Sequence, residues 1–120
     1  MEQPLYAILI AQDPKMRENI LSGKKQITIR EGRRGYKTGP AIVCSYLEPW
    51  AVMVDITDVR YCTLGDVMEE EYKADGFNSQ EELLSGLRKF YPQIDYASPV
   101  TVVKWANARG KLVDDYRAKQ

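Results

Sequence analysis

The chain contains no histidine. That absence removes the commonest metal ligand and the commonest general base, so a His-ligated zinc site and a Ser-His-Asp triad are both excluded. Proton transfer must rely on Lys, Asp, Glu, Tyr, Cys or water. Cysteine is scarce as well: Cys44 and Cys62 are the only two in 120 residues. Two cysteines make neither a disulfide framework nor a metal-ligand pattern, and both lie in apolar, strand-like surroundings where buried free thiols are expected. No apolar run approaches the roughly 18 residues of a membrane-spanning helix. The opening MEQPLYAILIAQD lacks a basic n-region and a small-residue cleavage site, so it does not read as a signal peptide. A soluble cytoplasmic protein without a membrane partner is the default expectation.

A length of 120 residues with 44% hydrophobic residues predicts one domain with a single core. The expected core spans about residues 5–106, followed by a polar tail over 107–120. Seventeen basic and seventeen acidic side chains give no net charge, yet the charge is segregated. Lys15 to Lys37 holds eight basic and two acidic residues, whereas Asp66 to Glu82 holds seven acidic residues and one basic. The molecule is therefore bipolar, with a positive block able to meet phosphate. The plainer alternative is two solvated faces that partly neutralise each other.

Leu5 to Ala11 reads as a first strand. Asp13 and Pro14 form a helix start, as cap and first helical residue, with Met16, Ile20 and Leu21 recurring at core-facing spacing. Gly23 stops that helix in a left-handed conformation. Ile27 to Arg30 is strand-like because isoleucine and threonine are β-branched. Glu31 to Gly35 reads as a flexible basic loop, and Lys37 to Pro40 as a turn into a strand over Ala41 to Tyr46. Alternation over Ala51 to Val59 predicts a further strand. Thr63 to Lys73 reads as a helix capped by Thr63, Ser79-Gln-Glu-Glu82 as a capping box opening a helix through Phe90, and Pro99 to Trp105 as the last strand. The apolar face of the second of these helices is Leu83, Leu84, Leu87 and Phe90. Such an order lacks regular βαβ alternation. It predicts an α+β fold, a small mixed and mostly antiparallel sheet or barrel with flanking helices.

The densest chemistry lies in ILSGKKQITIR, from Ile20 to Arg30. A lysine, a hydroxyl and a guanidinium meet there at a helix-to-strand corner. This string, with Lys37-Thr38-Gly39 following, resembles the signature of ASCH domains, PUA-like β-barrels linked to RNA binding. The likeness continues through an acidic helix, Lys73-Ala-Asp-Gly-Phe77, a capped helix ending in Phe90-Tyr91-Pro92 and a valine-rich strand, covering roughly Tyr6 to Trp105. Within the family, the chain looks similar to small bacterial amidohydrolases acting on N4-acetylcytidine. The resemblance implies a catalytic lysine at Lys25, a threonine at Thr28 and an acid at Asp75, where the family has a glutamate one methylene longer. It implies no cofactor and no metal, and a nucleoside or RNA as partner.

Strand period constrains these roles. Thr28 and Arg30 share a face, whereas a Lys25 already in the strand would point the other way. For the two to act together, Lys25 must lie in the turn after Gly23. There, beside Lys24 and Arg30 and partly desolvated, its pKa would fall, and it could activate the Thr28 hydroxyl. The Arg30 fork suits a carbonyl, carboxylate or phosphate. Arg33, Arg34 and Lys37 are candidates for backbone phosphates, Lys24 is a further phosphate-facing lysine, and Tyr36 is a stacking ring. Tyr61 and Phe77 are candidates for the pocket rim, while Trp50, Trp105 and Tyr46 read as core. Each has a plainer reading: a solvated turn lysine, an ordinary strand threonine, a structural ion pair for Arg30, a turn-forming Asp75. Glu69, Glu70 and Glu71 read as a solvated helix face. The leading expectation is an amidohydrolase using Lys25, Thr28 and Asp75. The competing classes are a non-catalytic RNA-binding module and, behind it, a ribonuclease.

Overall fold

The computed structural model describes residues 6–10, 15–45 and 51–109. Its elements are β1 (Tyr6–Ile10), α1 (Met16–Leu21), β2 (Ile27–Glu31), β3 (Gly39–Ser45), β4 (Ala51–Thr63), a 3-10 turn (Leu64–Asp66), α2 (Glu69–Ala74), α3 (Gln80–Arg88) and β5 (Pro99–Arg109). Hydrogen bonding orders the strands β1-β3-β4-β5-β2. β1 runs parallel to β3, while β3 with β4 and β2 with β5 are antiparallel. The α+β class and the mixed, mostly antiparallel pairing are as expected, but the barrel is not. Closure needs a ladder between the end strands, and among the described residues none joins β1 to β2, so the sheet is open.

The chain divides into two compact units. One comprises Met1–Lys25, Thr38–Thr57 and Trp105–Gln120, the other Gln26–Lys37 and Asp58–Lys104. The long strands β4 and β5 supply residues to both.

In the first unit, Ile8 pairs with Val43, Val43 with Val52, and Ala41 with Val54. All five residues are fully buried, whereas the intervening Ile42, Met53 and Asp55 are half-exposed. This is period-2 alternation setting the register. α1 buries Ile20 completely and half-buries Met16 and Leu21. Its first described residue is Lys15, at the N-cap; the expected start at Asp13-Pro14 lies outside the described residues, as do Tyr46 and Trp50. Gly23 has φ +84°, the left-handed stop its position demanded. β5 continues to Arg109, so the expected polar tail begins three residues inside a strand; residues 110–120 lie outside the described residues. Asn107 and Arg109 there clasp the Asp55 carboxylate, at 2.9 and 3.0 Å.

In the second unit, Ile27 and Ile29 of β2 join Val100 and Val102 of β5 on one face. They pack with Leu64, Val67, Ile94 and the Leu83 and Leu87 pair of α3. Ser79 caps α3, its Oγ accepting the Glu82 N–H at 3.1 Å. Two expectations fail here. β4 extends to Thr63, so the helix expected over Thr63 to Lys73 is instead a 3-10 turn followed by α2, because Val67 and Met68 are both extended. The Thr63 hydroxyl donates to Asp66 at 2.9 Å instead of capping. α3 ends at Arg88, which leaves Phe90 53% exposed while Tyr91 packs against the core.

Candidate functional site

Lys25 lies in the turn between α1 and β2, two residues before strand pairing begins, the position that a joint role with Thr28 needs. Its main chain is held at both ends: the N–H donates to Asn19 O at 2.9 Å, and its carbonyl accepts the Trp105 indole N–H at 3.1 Å. Trp105 is itself 2% exposed. A buried indole thus sets the Lys25 peptide, and with it the root of the side chain. Lys24 is exposed in the same turn.

In the second unit, Thr28 pairs with Val103 and Arg30 with Thr101 across the β2–β5 ladder. Directly opposed residues project to the same side, so Thr28, Arg30, Thr101 and Val103 share the face turned away from Ile27 and Ile29. Thr28 is buried and Arg30 half-buried.

The basic segment after β2 is not a flexible loop. Gly32, with φ +85°, turns the chain, and its N–H donates to Pro99 O at 2.7 Å. The fully buried Thr101 hydroxyl donates to Gly32 O at 2.7 Å and accepts the Arg34 N–H at 2.8 Å. Tyr61 reaches across from β4, and its hydroxyl donates to Arg34 O at 2.6 Å. The Arg33 guanidinium lies over the Tyr61 ring, 3.9 Å from its centroid. Arg34 Nε donates to Glu31 O at 2.8 Å. One buried threonine and one tyrosine therefore tie the loop to the Thr28–Arg30 face. The sequence named Arg33, Arg34 and Lys37, all exposed here, and the half-buried Tyr36. It could not reveal Thr101 as the tether, because a threonine in a valine-rich strand looks like any other β-branched residue.

Asp75 is the C-cap of α2, its N–H donating to Glu71 O at 3.1 Å, ahead of Gly76 at φ +96°. α2 packs its Tyr72 against the Ile27–Ile29 side of the ladder. A joint role with Thr28, on the other side, requires the carboxylate to reach round β2, the last strand in the order.

The acidic run is not uniformly solvated. Glu69 and Glu70 are exposed, Glu69 pairing with Lys73 one turn on, but Glu71 is 1% exposed. Arg60 grips its carboxylate through both Nε, at 3.1 Å, and Nη2. The Met68 N–H donates to it at 2.8 Å, and Lys104 Nζ lies 3.7 Å away. Burial pushes this carboxyl up; the hydrogen bonds from Arg60 and Met68, with the charges of Arg60 and Lys104, outweigh it and hold the group below the usual range. A carboxylate so fully engaged is an anchor for α2 and a poor proton acceptor. The signal that could have found it was Met68-x-x-Glu71, the acid half of a capping box. Cys44 and Cys62 are free and half-buried, and burial raises both thiols, which keeps them protonated and unreactive. Among the described residues, no group of three or more His, Cys, Asp or Glu is placed to hold a metal ion. Among those residues, too, no helix is long and apolar enough to cross a membrane.

These elements define a small α+β fold whose open sheet carries a tethered basic loop. No family model and no curated relative matches the chain. Solved structures do. The chain is similar to an ASCH domain from Lactobacillus crispatus JV V101, with TM-score 0.65, 16% identity, and coverage of 84% of this chain and 77% of that one. It is similar to the ASCH protein of Zymomonas mobilis, with TM-score 0.59, 14% identity and coverage of 86% and 68%. A protein from Enterococcus faecalis V583 aligns with TM-score 0.65, 13% identity and coverage of 98% and 83%. At such identities the likeness is one of fold, and the fold is of the ASCH type.

Proposed function

We propose that this protein binds a nucleoside or RNA ligand at its basic face and hydrolyses an N-acyl amide on a modified cytidine such as N4-acetylcytidine. The observation that carries the reading is the placement of Lys25 in the turn that leads into β2, with its peptide set by Trp105, ahead of a strand that offers Thr28 and Arg30 on one face. Thr28 Oγ attacks the acyl carbonyl as Lys25 takes its proton. The tetrahedral centre collapses, the C–N bond breaks, and Asp75, reaching round β2 from the end of α2 and carrying a proton, supplies it to the leaving cytosine amine. Water then cleaves the acyl-threonine ester, releasing acetate and regenerating the Thr28 hydroxyl, while Lys25 returns the proton it took to solvent and Asp75 regains one, which closes the cycle. Arg30 suits the oxygen on which charge develops. Neither a metal nor an organic cofactor is required by these steps.

The test is release of cytidine from N4-acetylcytidine by the purified protein. Lys25→Ala and Thr28→Ala are each expected to reduce kcat/KM by about a thousandfold or more, the scale of losing a nucleophile or its base. Absence of turnover by the unmodified protein, together with salt-dependent RNA binding, overturns the enzyme and leaves the second reading. That reading is a non-catalytic RNA-binding module, favoured by the tethering of Arg33 and Arg34 onto the sheet face.

A further inference from the structure

The Arg33–Tyr61 stack is not used by the hydrolytic steps, yet it is held in place from several directions. Tyr61 is anchored at its tip by the hydrogen bond to Arg34 O, and its ring is covered by the Arg33 guanidinium. The loop carrying Arg33 is tied at Gly32 O and at the Arg34 N–H by the buried Thr101 hydroxyl. Arg33 and Arg34 are both exposed, and Tyr61 keeps 36% of its surface. A guanidinium seated over a ring is a planar cation of the kind on which unpaired bases stack. A loop already ordered by its own hydrogen bonds loses little further freedom when it binds.

We infer that the Arg33–Tyr61 stack is a base-stacking platform for single-stranded RNA, with Arg34 beside it for the phosphodiester backbone and Thr101 as the residue that positions both arginines. This rests on the nucleic-acid part of the proposed function, and it names the substrate as a polynucleotide whose grip extends beyond one nucleoside. Tyr61 and Thr101 thereby become binding and positioning residues respectively.

The experiment is fluorescence anisotropy with a labelled single-stranded oligocytidine of about twelve nucleotides, within the span one such surface tracks, alongside cytidine release from free N4-acetylcytidine. Arg33→Lys keeps the charge and removes the planar stack; it is expected to weaken RNA binding about tenfold, within the range for losing one stacked base. Tyr61→Leu should weaken it similarly, while Tyr61→Phe, which keeps the ring and loses only the tether, should fall between it and the unmodified protein. Thr101→Val conserves shape and removes both hydrogen bonds; binding should weaken, and the Arg34 amide should lose its protection from hydrogen exchange. Circular dichroism spectra matching the unmodified protein exclude misfolding. Equal RNA affinity in Arg33→Lys and the unmodified protein overturns the platform, as does failure of the unmodified protein to bind the oligonucleotide at low salt. RNA binding that depends on Arg33 and Tyr61 without any nucleoside turnover sustains the platform while removing the amidohydrolase. Turnover without RNA binding does the reverse.

Discussion

Glu71 shows how much a single side chain can depart from its neighbours. Three consecutive glutamates look alike in sequence, yet helical geometry places them on different sides of α2, and only the third turns inward to Arg60 and Lys104. Removing one partner of a buried pair costs far more than the pair contributes on balance, because the other charge is stranded. Glu71→Gln should therefore destabilise the fold by about 2–3 kcal/mol, toward the low end for a buried pair because Arg60 keeps a third of its side chain in solvent. The sign of the pH effect follows from the depressed carboxyl. Its contribution is complete above the unfolded glutamate pKa of about 4.3 and is lost as pH falls through the lower folded value. Urea unfolding at a series of pH values from about 5 down to about 3 should show a steeper loss in the unmodified protein than in Glu71→Gln. Parallel curves would rule this out. The same scale explains why Lys25 was legible. A glycine stop followed by a β-branched strand left only a short turn between them, whereas Thr101 and Trp105, which hold the loop and the Lys25 peptide, act from 67 and 80 residues away.

At the scale of elements, α3 illustrates local rules that held and a packing demand they did not contain. Ser79 and Glu82 form the start the sequence announced, although the Glu82 carboxylate accepts the N–H of Asn78 at 2.8 Å, one residue before the cap. Gly86, inside this helix, is a poor helix former, and alanine there would ordinarily add up to about 1 kcal/mol. The structure reverses that expectation. A Cβ on Gly86 would meet the Phe77 ring, with Cζ only 2.8 Å away, and Phe77 itself packs against the core. Gly86→Ala should therefore lower stability by about 1–2 kcal/mol, the cost of overpacking. Thermal unfolding checks this, and pairing the change with Phe77→Leu should return much of the loss. A Gly86→Ala protein that melts higher than the original would show that the ring moves aside freely. The elements most poorly anticipated, the 3-10 turn and α2, lie where β4 outlasted its alternating pattern. The strand expected from the alternation ends at Val59; Arg60 and Tyr61 prolong it, Arg60 anchoring Glu71 and Tyr61 supporting Arg33.

For the molecule as a whole, zero net charge conceals two opposed blocks, and the second unit contains much of both. If Arg30, Arg33, Arg34 and Lys37 engage about three or four phosphates, the logarithm of the RNA association constant should fall with the logarithm of salt concentration with a slope of about −2 to −3. A slope near zero would separate the basic face from any nucleic-acid role. Composition, the absence of histidine and the strand period were enough to determine the α+β class, the exclusion of His-based chemistry, the position of Lys25 and the common face of Thr28 and Arg30. These depend on residue type and on near neighbours along the chain, which a sequence displays directly. Which glutamate is buried, what ties the basic loop down, where β4 ends and that the sheet stays open were decided only in the tertiary structure. Each of those outcomes depends on partners far apart in sequence, and on whether a polar group finds one once water is withdrawn.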